Sequence, residues 1–104
     1  GVLEQFEENP KHGYKRRIGP KGDPIARGPS NGYLALQGSS PVGERRRIGF
    51  DPVNGELVVF HLHRTDEQNC IKYWHGWVVD TASDLSGRND LLNAARQNKL
   101  PIPK

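Results

Sequence analysis

The sequence predicts an α+β fold, in which a small antiparallel β-meander packs against an N-terminal and a C-terminal helix. Three β-prone runs follow one another with short turns between them, at residues 44–50, 55–64 and 70–80. Apolar residues in the segment 86–98 fall on one side of a helix. A chain of 104 residues can bury one modest core, so we expect a single domain.

The N-terminal segment, residues 3–10, predicts one or two helical turns that end at Pro10. Leu3 and Phe6 form the apolar side of these turns. Residues 33–39 predict a further short element, and the sequence leaves its type open between helix and strand.

Residues 11–32 form a basic, loop-rich arm with three prolines and five glycines. An irregular stretch of this length is uncommon in a compact domain unless it binds something or docks against the fold. Tyr14, Ile18 and Ile25 give it apolar side chains to bury. The sequence therefore favours a functional arm over a disordered linker.

The two connections of the meander have turn chemistry. Residues 51–55 combine Pro52, which presets φ, with Asn54-Gly55, which tolerates positive φ. Residues 65–69 are the second predicted turn. The C-terminal helix is expected to start at an N-cap serine, Ser83 or Ser86, and to stop before Pro101. Its inward residues are predicted to be Leu91, Leu92 and Ala95.

Strand parity predicts where the polar side chains of the meander lie. With a five-residue second turn, the cross-strand pairs are Arg64–Cys70, His63–Ile71, His61–Tyr73 and Val59–His75. One face then carries His61, His63, Tyr73, His75 and Trp77, and the other carries Val58, Phe60, Leu62 and Trp74, together with Arg64 and Lys72. We expect the second face to be core and the first to be a histidine-rich surface. A turn shorter by one residue would separate His75 from the other two histidines.

Histidines on neighbouring strands indicate acid/base chemistry, because imidazole can take and give a proton near neutrality. Each histidine can also be an ordinary solvated strand residue, and the sequence leaves that alternative open. A metal site would need His61, His63, Cys70 and His75 as ligands. Parity puts Cys70 on the opposite face and the chain has no second cysteine. We therefore expect neither a metal nor another cofactor.

The charge pattern indicates an anionic partner. The net charge is +3, and the bases cluster in residues 11–17 and 45–47. Two basic islands on one small domain could line one groove, although solvated loop charge is the alternative. No apolar run approaches the roughly 20 residues that span a bilayer.

Residues 47–100 resemble a known family in the order of their motifs. The segment RIGFDPVNGELVVF is followed by a strand with Tyr73 and His75-Gly76 and by a short helix containing Asn-Ala, and GPSNGYLAL precedes it. This order is similar to the C-terminal toxin domains of contact-dependent growth inhibition proteins and related polymorphic bacterial toxins. His75-Gly76 matches the family's His-Gly, whereas Trp77 and Val79 stand where the family has a second histidine and an arginine.

The resemblance implies a BECR-like ribonuclease fold, named for barnase, EndoU, colicins and RelE. It implies a metal-independent endoribonuclease that cleaves RNA, either tRNA or rRNA, through its 2′-hydroxyl group in the cytoplasm of a target bacterium. It also implies a secreted or cell-surface carrier protein and a cognate immunity protein, which we expect to be acidic because the toxin is basic. A non-catalytic RNA-binding module and a toxin nuclease that acts on DNA are the alternatives.

The candidate site combines this resemblance with strand parity. We expect His75 and His63 to be the proton-transfer pair, with His61 as a further catalytic candidate. Arg or Lys must then stabilise the charge on the phosphate, and the catalytic candidates for this are Arg64 and Lys72. The expected RNA-binding residues are Arg45, Arg46, Arg47, Lys15, Arg17, Tyr73 and Trp77. His12, in the basic arm, is an outside candidate for catalysis.

Overall fold

A computed structural model describes residues 1–13 and 15–104 of the chain and has an α+β fold. The main sheet has five strands in the order β1-β7-β6-β5-β4, and β2 and β3 form a separate small hairpin. The strands are β1 (Leu3–Phe6), β2 (Arg17–Ile18), β3 (Pro24–Ile25), β4 (Ser40–Pro41), β5 (Arg46–Asp51), β6 (Glu56–Asp66) and β7 (Ile71–Val79). The helices are α1 (Gly32–Gln37) and α2 (Asn89–Gln97), and a 3₁₀ turn covers Ala82–Leu85. Among the described residues, neither helix has the length and apolar character needed to cross a membrane.

The central strands β5, β6 and β7 form the antiparallel meander that the sequence predicts. Asp51 ties the first turn, because its carboxylate accepts hydrogen bonds from the N–H of Val53 at 2.8 Å and of Asn54 at 3.0 Å. Gly55 completes this turn with φ of 68°, a conformation that glycine adopts without steric cost.

The second turn differs from the prediction. β6 continues through residues 65 and 66, so the turn covers 67–70 rather than 65–69. The carboxylate of Asp66 ties it by accepting hydrogen bonds from the backbone N–H of Asn69 at 3.1 Å and from its side-chain amide at 2.9 Å. Cys70 closes the turn with φ of 55°.

The pairing of β6 with β7 therefore has a different register from the predicted one. His61 lies opposite His75 rather than Tyr73, and Arg64 lies opposite Tyr73 rather than Cys70. The residue opposite His61 is two positions further along β7 than predicted. Since side chains alternate with a period of two, this displacement leaves the predicted faces unchanged at His61 and His75.

The N-terminal segment forms a strand, so the predicted helix over residues 3–10 is wrong. β1 lies parallel to β7 at the edge of the sheet, with Phe6 opposite Trp74. A helix this short is unstable in water, because nucleation costs more than its few hydrogen bonds return. The open edge of β7 offers backbone partners instead, and Phe6 packs edge-on against Phe60.

Each face of the sheet carries a core, whereas the sequence predicted one core face. On the predicted core face, α1 covers a buried cluster made of Ala35, Leu36, Val58, Phe60, Trp74 and Val78. On the opposite face, α2 and the 3₁₀ turn cover a second cluster made of Ile48, Leu57, Val59, Val79, Leu85, Leu91 and Ala95. The face that bears the histidines is thus apolar at one end and polar at the other.

α2 begins later than predicted, because the 3₁₀ turn occupies the residues before it. Arg88 is its N-cap and makes no capping bond through its side chain, so neither Ser83 nor Ser86 has that role. Leu91 and Ala95 are fully buried, as expected, and Leu92 is half-buried.

The arm docks on the sheet through charged groups. The N–H of Val78 donates to the carbonyl of Arg27 at 2.9 Å. The Arg27 guanidinium binds Asp80 at 3.0 Å and Glu56 at 2.5 Å, and Glu56 is only 5% exposed. A carboxylate buried to this extent needs such partners, because an unpaired charge there would be costly.

Apolar burial contributes less to this docking than the sequence suggested. Ile25 is half-buried, but Ile18 is 70% exposed. Tyr14, the third apolar residue of the arm, lies outside the described residues.

Most of residues 33–39 belongs to the helix α1, Gly32–Gln37, so the element that the sequence left open between helix and strand is a helix. Its N-cap Asn31 accepts a hydrogen bond from the N–H of Leu34 at 3.0 Å. The helix packs closely on β5, since a Cβ atom added at Gly49 would lie 2.2 Å from the carbonyl oxygen of Ala35 and 2.9 Å from the Cβ of Ser39.

We expect Gly49→Ala to lower the free energy of unfolding by about 1–3 kcal/mol, because the added methyl group overpacks this contact. Gly38→Ala is the control, since nothing lies within 4 Å of a Cβ there, and it should change stability by no more than about 0.5 kcal/mol. Urea unfolding measures both. Similar losses for the two variants would contradict the close packing of α1 on β5.

Candidate functional site

The polar end of the sheet carries the side chains that the sequence placed together. His61 and His75 lie directly opposite each other on β6 and β7. We call this surface the histidine face, and its members are His61, His63, Tyr73, His75 and Trp77. It begins where the apolar cluster under α2 ends, because Trp77 packs against that cluster.

A bulge in β6 changes the histidine face from the predicted one. The register shifts between Leu62 and Arg64, so His63 is an extra residue without a direct partner. Its ring stacks on that of His75, with centroids 4.0 Å apart and planes 18° from parallel. Beyond the bulge, Arg64 joins the histidine face, and its guanidinium carbon lies 3.7 Å from the Tyr73 ring centroid. Its predicted position on the opposite face is therefore wrong.

Glu7 completes a compact cluster with these residues. It follows β1, and its carboxylate accepts two hydrogen bonds from the Arg64 guanidinium, at 3.2 and 3.0 Å. One carboxylate oxygen of Glu7 and one ring nitrogen each of His63 and His75 all lie within 4.8 Å of one another. We call Glu7, His63, Arg64 and His75 the Glu7 cluster.

The groups in the Glu7 cluster affect one another's charge. The hydrogen bond from Arg64 holds the pKa of Glu7 below its usual 4.5, and the two imidazoles add to this effect. Partial burial lowers the pKa of His75 from its usual 6.5, and the positive charge that His63 can carry lowers it further. The negative charge of Glu7 acts in the opposite direction and raises this pKa.

His61 is held as a neutral imidazole. The indole N–H of Trp77 donates to its Nε2 at 3.0 Å. Because an indole N–H can only donate, Nε2 carries no proton and Nδ1 carries it. Burial lowers the pKa of His61 from 6.5, and the nearby charges of Arg46, Arg88 and His12 lower it further.

His12 brings a fourth imidazole to the same region. Its Nδ1 lies 2.7 Å from the carbonyl oxygen of Ala26. A carbonyl can only accept, so Nδ1 carries the proton and Nε2 is the basic nitrogen of the neutral ring. His12 lines the same cleft as His61, and the charge that His12 can carry lowers the pKa of both His61 and His75.

A cleft of about 860 Å³ lies between the arm, the histidine face and the start of α2. His12 and His61 line it, together with Trp77. Its cationic lining residues include Lys11, Lys21, Arg16 and Arg88, and its acidic ones are Asp23 and Asp84. We call this space the basic cleft.

The lining of the basic cleft is net positive, because it has four cationic side chains and two acidic ones. One of the acidic side chains, Asp84, accepts hydrogen bonds from the Arg16 guanidinium at 2.5 and 3.1 Å. Burial raises the pKa of Asp84, but hydrogen bonds from Arg16 and from the N–H groups of Asp80 and Thr81 outweigh burial and hold the pKa below its usual 3.8. The same contact fastens the arm to the 3₁₀ turn.

Several other predicted residues lie apart from the cleft. Lys72 pairs with Thr65 on the opposite face of the sheet. Arg47 is also on that face, where it donates to Ser39. Arg46 is on the histidine face opposite His61, but its guanidinium forms an ion pair with Asp90.

The remaining predicted RNA-binding residues are exposed and lie outside the cleft lining. These are Arg45, Lys15 and Arg17. Arg17 donates to the carbonyl of Lys11 at 2.6 Å, which stabilises the fold of the arm. Cys70 is exposed in the second turn, with Sγ 3.8 Å from the carbonyl of Glu67, so it does not join the histidines.

Sequence reasoning missed Glu7 and gave His12 only a minor place. The predicted helix over residues 3–10 gives no reason to place Glu7 near His75, whereas in the structure Glu7 follows the edge strand β1 and lies close to His75. The only sequence signal for His12 was its position within the basic arm.

Comparison of the chain with protein-family models, with curated proteins and with solved structures finds no significant match.

We expect Asp84→Asn to lower the free energy of unfolding at pH 7 by about 1–2 kcal/mol, because it removes charge-assisted hydrogen bonds to Arg16. Because the pKa of Asp84 is depressed in the folded state, its contribution is complete above the unfolded value near 3.8 and is lost as the pH falls through the folded pKa. The variant should thus lose less stability than the parent on acidification.

Thermal unfolding at neutral and acidic pH measures this difference. Asp23→Asn is the matched control, because it removes the same charge from the cleft lining at an exposed residue without a side-chain ion pair among the described residues. If the parent and Asp84→Asn lost the same amount of stability between neutral and acidic pH, the contact of Asp84 with Arg16 would not be the cause of the pH dependence.

Proposed function

We propose that this chain is a bacterial toxin domain that cleaves RNA, preferentially tRNA, as a metal-independent endoribonuclease of BECR-like fold. One observation carries the catalytic part of the proposal. Two imidazoles, His12 of the arm and His61 of β6, line a basic cleft, and His75 lies directly opposite His61 with its ring stacked on that of His63. Phosphodiester cleavage through the 2′-hydroxyl of RNA needs a base, an acid and cations in such an arrangement.

The acid and the base must act from opposite sides of the reacting phosphorus, because the attacking and leaving oxygens are in line. The rings of His63 and His75 are in stacking contact at 4.0 Å, so no phosphate fits between them. This argues against the pair expected from the sequence. His12 and His75 suit the task better, because they belong to separate elements, the arm and β7, and the arm docks on β7 through the bond from the Val78 N–H to the Arg27 carbonyl.

His12 is the proposed base. The bond from Nδ1 to the Ala26 carbonyl leaves Nε2 as the basic nitrogen. Nε2 takes the proton of the 2′-hydroxyl group, and the oxygen then attacks the adjacent phosphorus. The bond from phosphorus to the 5′-oxygen breaks, and His75 gives that oxygen its proton. The products are a 2′,3′-cyclic phosphate and a free 5′-hydroxyl group.

The basic cleft supplies RNA affinity. Lys11, Lys21 and Arg88 line it and can approach phosphate oxygens. The guanidinium carbon of Arg88 lies 5.5 Å from the Trp77 ring, so a cation and an aromatic surface are adjacent there. Such a pair can hold a phosphate and a stacked base of single-stranded RNA.

The toxin part of the proposal rests on the motif order of residues 28–100 described above. The partner proposed on that basis is a cognate immunity protein with an acidic surface. It would cover the basic cleft, where opposite charge speeds association and selects the partner. A secreted or cell-surface carrier would bring the domain to the cytoplasm of a target bacterium.

We expect His12→Ala and His75→Ala each to lower the rate of RNA cleavage by about 10²–10⁴-fold, because each removes one proton-transfer group. Lys72→Ala should leave the rate unchanged, since its side chain lies on the opposite face of the sheet. Gel electrophoresis of tRNA and of total RNA measures the cleavage, with a chelator present to test metal independence.

Intact RNA with the parent chain would favour the RNA-binding module, and cleavage of DNA alone would favour the DNA nuclease. Undiminished cleavage by His75→Ala, with the fold verified by circular dichroism, would refute the assigned acid.

We expect Arg88→Ala to weaken RNA binding and to reduce the slope of log Kd against log salt by about 0.7, the value for one phosphate contact to a single strand. Arg96→Ala is the charge-matched control, because Arg96 is exposed on α2 and does not line the cleft. Fluorescence anisotropy with 2′-O-methyl RNA, which cannot be cleaved, measures both slopes. Equal changes in the two variants would mean that binding follows net charge rather than the cleft.

A further inference from the structure

We propose that Glu7, His63 and His75 form a binding site for one transition-metal cation, with zinc as the preferred ion, and that bound zinc inhibits RNA cleavage. The three side chains come from the end of β1, the bulge of β6 and the middle of β7. Their ligand atoms all lie within 4.8 Å of one another. The inhibitory part rests on the proposed function, whereas the binding part does not.

The chemistry of the donors selects the ion. Two imidazole nitrogens and one carboxylate oxygen form a ligand set that binds zinc and leaves a fourth position open. Magnesium and calcium prefer sites made of oxygen ligands, so they should bind poorly here.

The site needs a small rearrangement to bind an ion. Bonds of about 2.0–2.2 Å bring tetrahedral donors to roughly 3.4 Å from one another, so the three groups must move closer. The parallel rings of His63 and His75 must also tilt, because their in-plane nitrogen lone pairs have to point at one ion. His63 is exposed on the bulge, which leaves its side chain room to rotate.

Arg64 orients the carboxylate in this site. It donates Nε–H to one oxygen of Glu7 and Nη2–H to the other. Each carboxylate oxygen has a second lone pair, so one oxygen can bind the ion while Arg64 keeps its contact. Outer hydrogen bonds of this kind fix ligand orientation in metal sites.

Zinc in this site would stop the proposed reaction. A ring nitrogen of His75 that is bonded to zinc has no lone pair to accept a proton, so that nitrogen cannot protonate the leaving 5′-oxygen.

The binding test uses the whole 104-residue chain. Isothermal titration with zinc chloride should show one ion per chain, and zinc but not magnesium should raise the midpoint of thermal unfolding until a chelator is added. His63→Ala and Glu7→Gln should lose both effects. Cys70→Ser and His12→Ala should keep them, because these residues are potential ligands outside the cluster.

Absence of one-to-one zinc binding would overturn the site, and so would binding that persists in His63→Ala and Glu7→Gln. Loss of binding in Cys70→Ser or His12→Ala would place the ion elsewhere and would overturn it equally.

The inhibition test compares RNA cleavage by the parent with and without one equivalent of zinc. Zinc should suppress cleavage by the parent, and the cleavage that remains in His63→Ala should no longer respond to zinc. Zinc binding by a chain that never cleaves RNA would refute the proposed function but leave the metal site standing. Cleavage that zinc does not affect, or that requires zinc, would overturn the inhibitory role.

Discussion

The pairing of β6 with β7 is the constraint on which the rest of the molecule depends. It places apolar side chains under α2 at one end and imidazoles at the other end of the same face. The bulge at His63 adds one residue to β6, and this residue stacks on His75 while the next one, Arg64, turns to the same face. A sheet without this bulge would point Arg64 away from Glu7. One local irregularity thus brings His63 and Arg64 together with His75 and Glu7.

The arm is the second part of the site, and charge rather than apolar contact holds it. Glu56 is buried where β6 begins and binds Arg27, and Arg16 binds Asp84 at the 3₁₀ turn. These contacts hold the arm against β7 and so bring His12 to the edge of the histidine face. The cleft exists only because an irregular segment is fixed against a regular one, which is a frequent way to build a binding site from a loop.

The imidazoles are not equivalent, although they share one surface. His61 accepts a hydrogen bond from an indole and is held neutral, whereas His12 donates to a carbonyl and keeps a basic nitrogen. His63 and His75 stack beside a carboxylate. In the proposed function, these environments would give the histidines different roles: His12 would take a proton, His75 would act as the acid, and His63 would join His75 in binding a metal ion.

The sequence by itself determined the three central strands and the turn at Asp51, because hydrophobic periodicity and turn chemistry are local. Only the tertiary structure decided the strand register, the bulge and the role of Glu7. Each of these depends on contacts between distant segments: β1 became a strand because β7 had an open edge, and Glu7 met Arg64 across 57 positions of the chain. A local sequence pattern cannot predict such long-range contacts, since they contribute to the free energy of folding only when the sheet has formed.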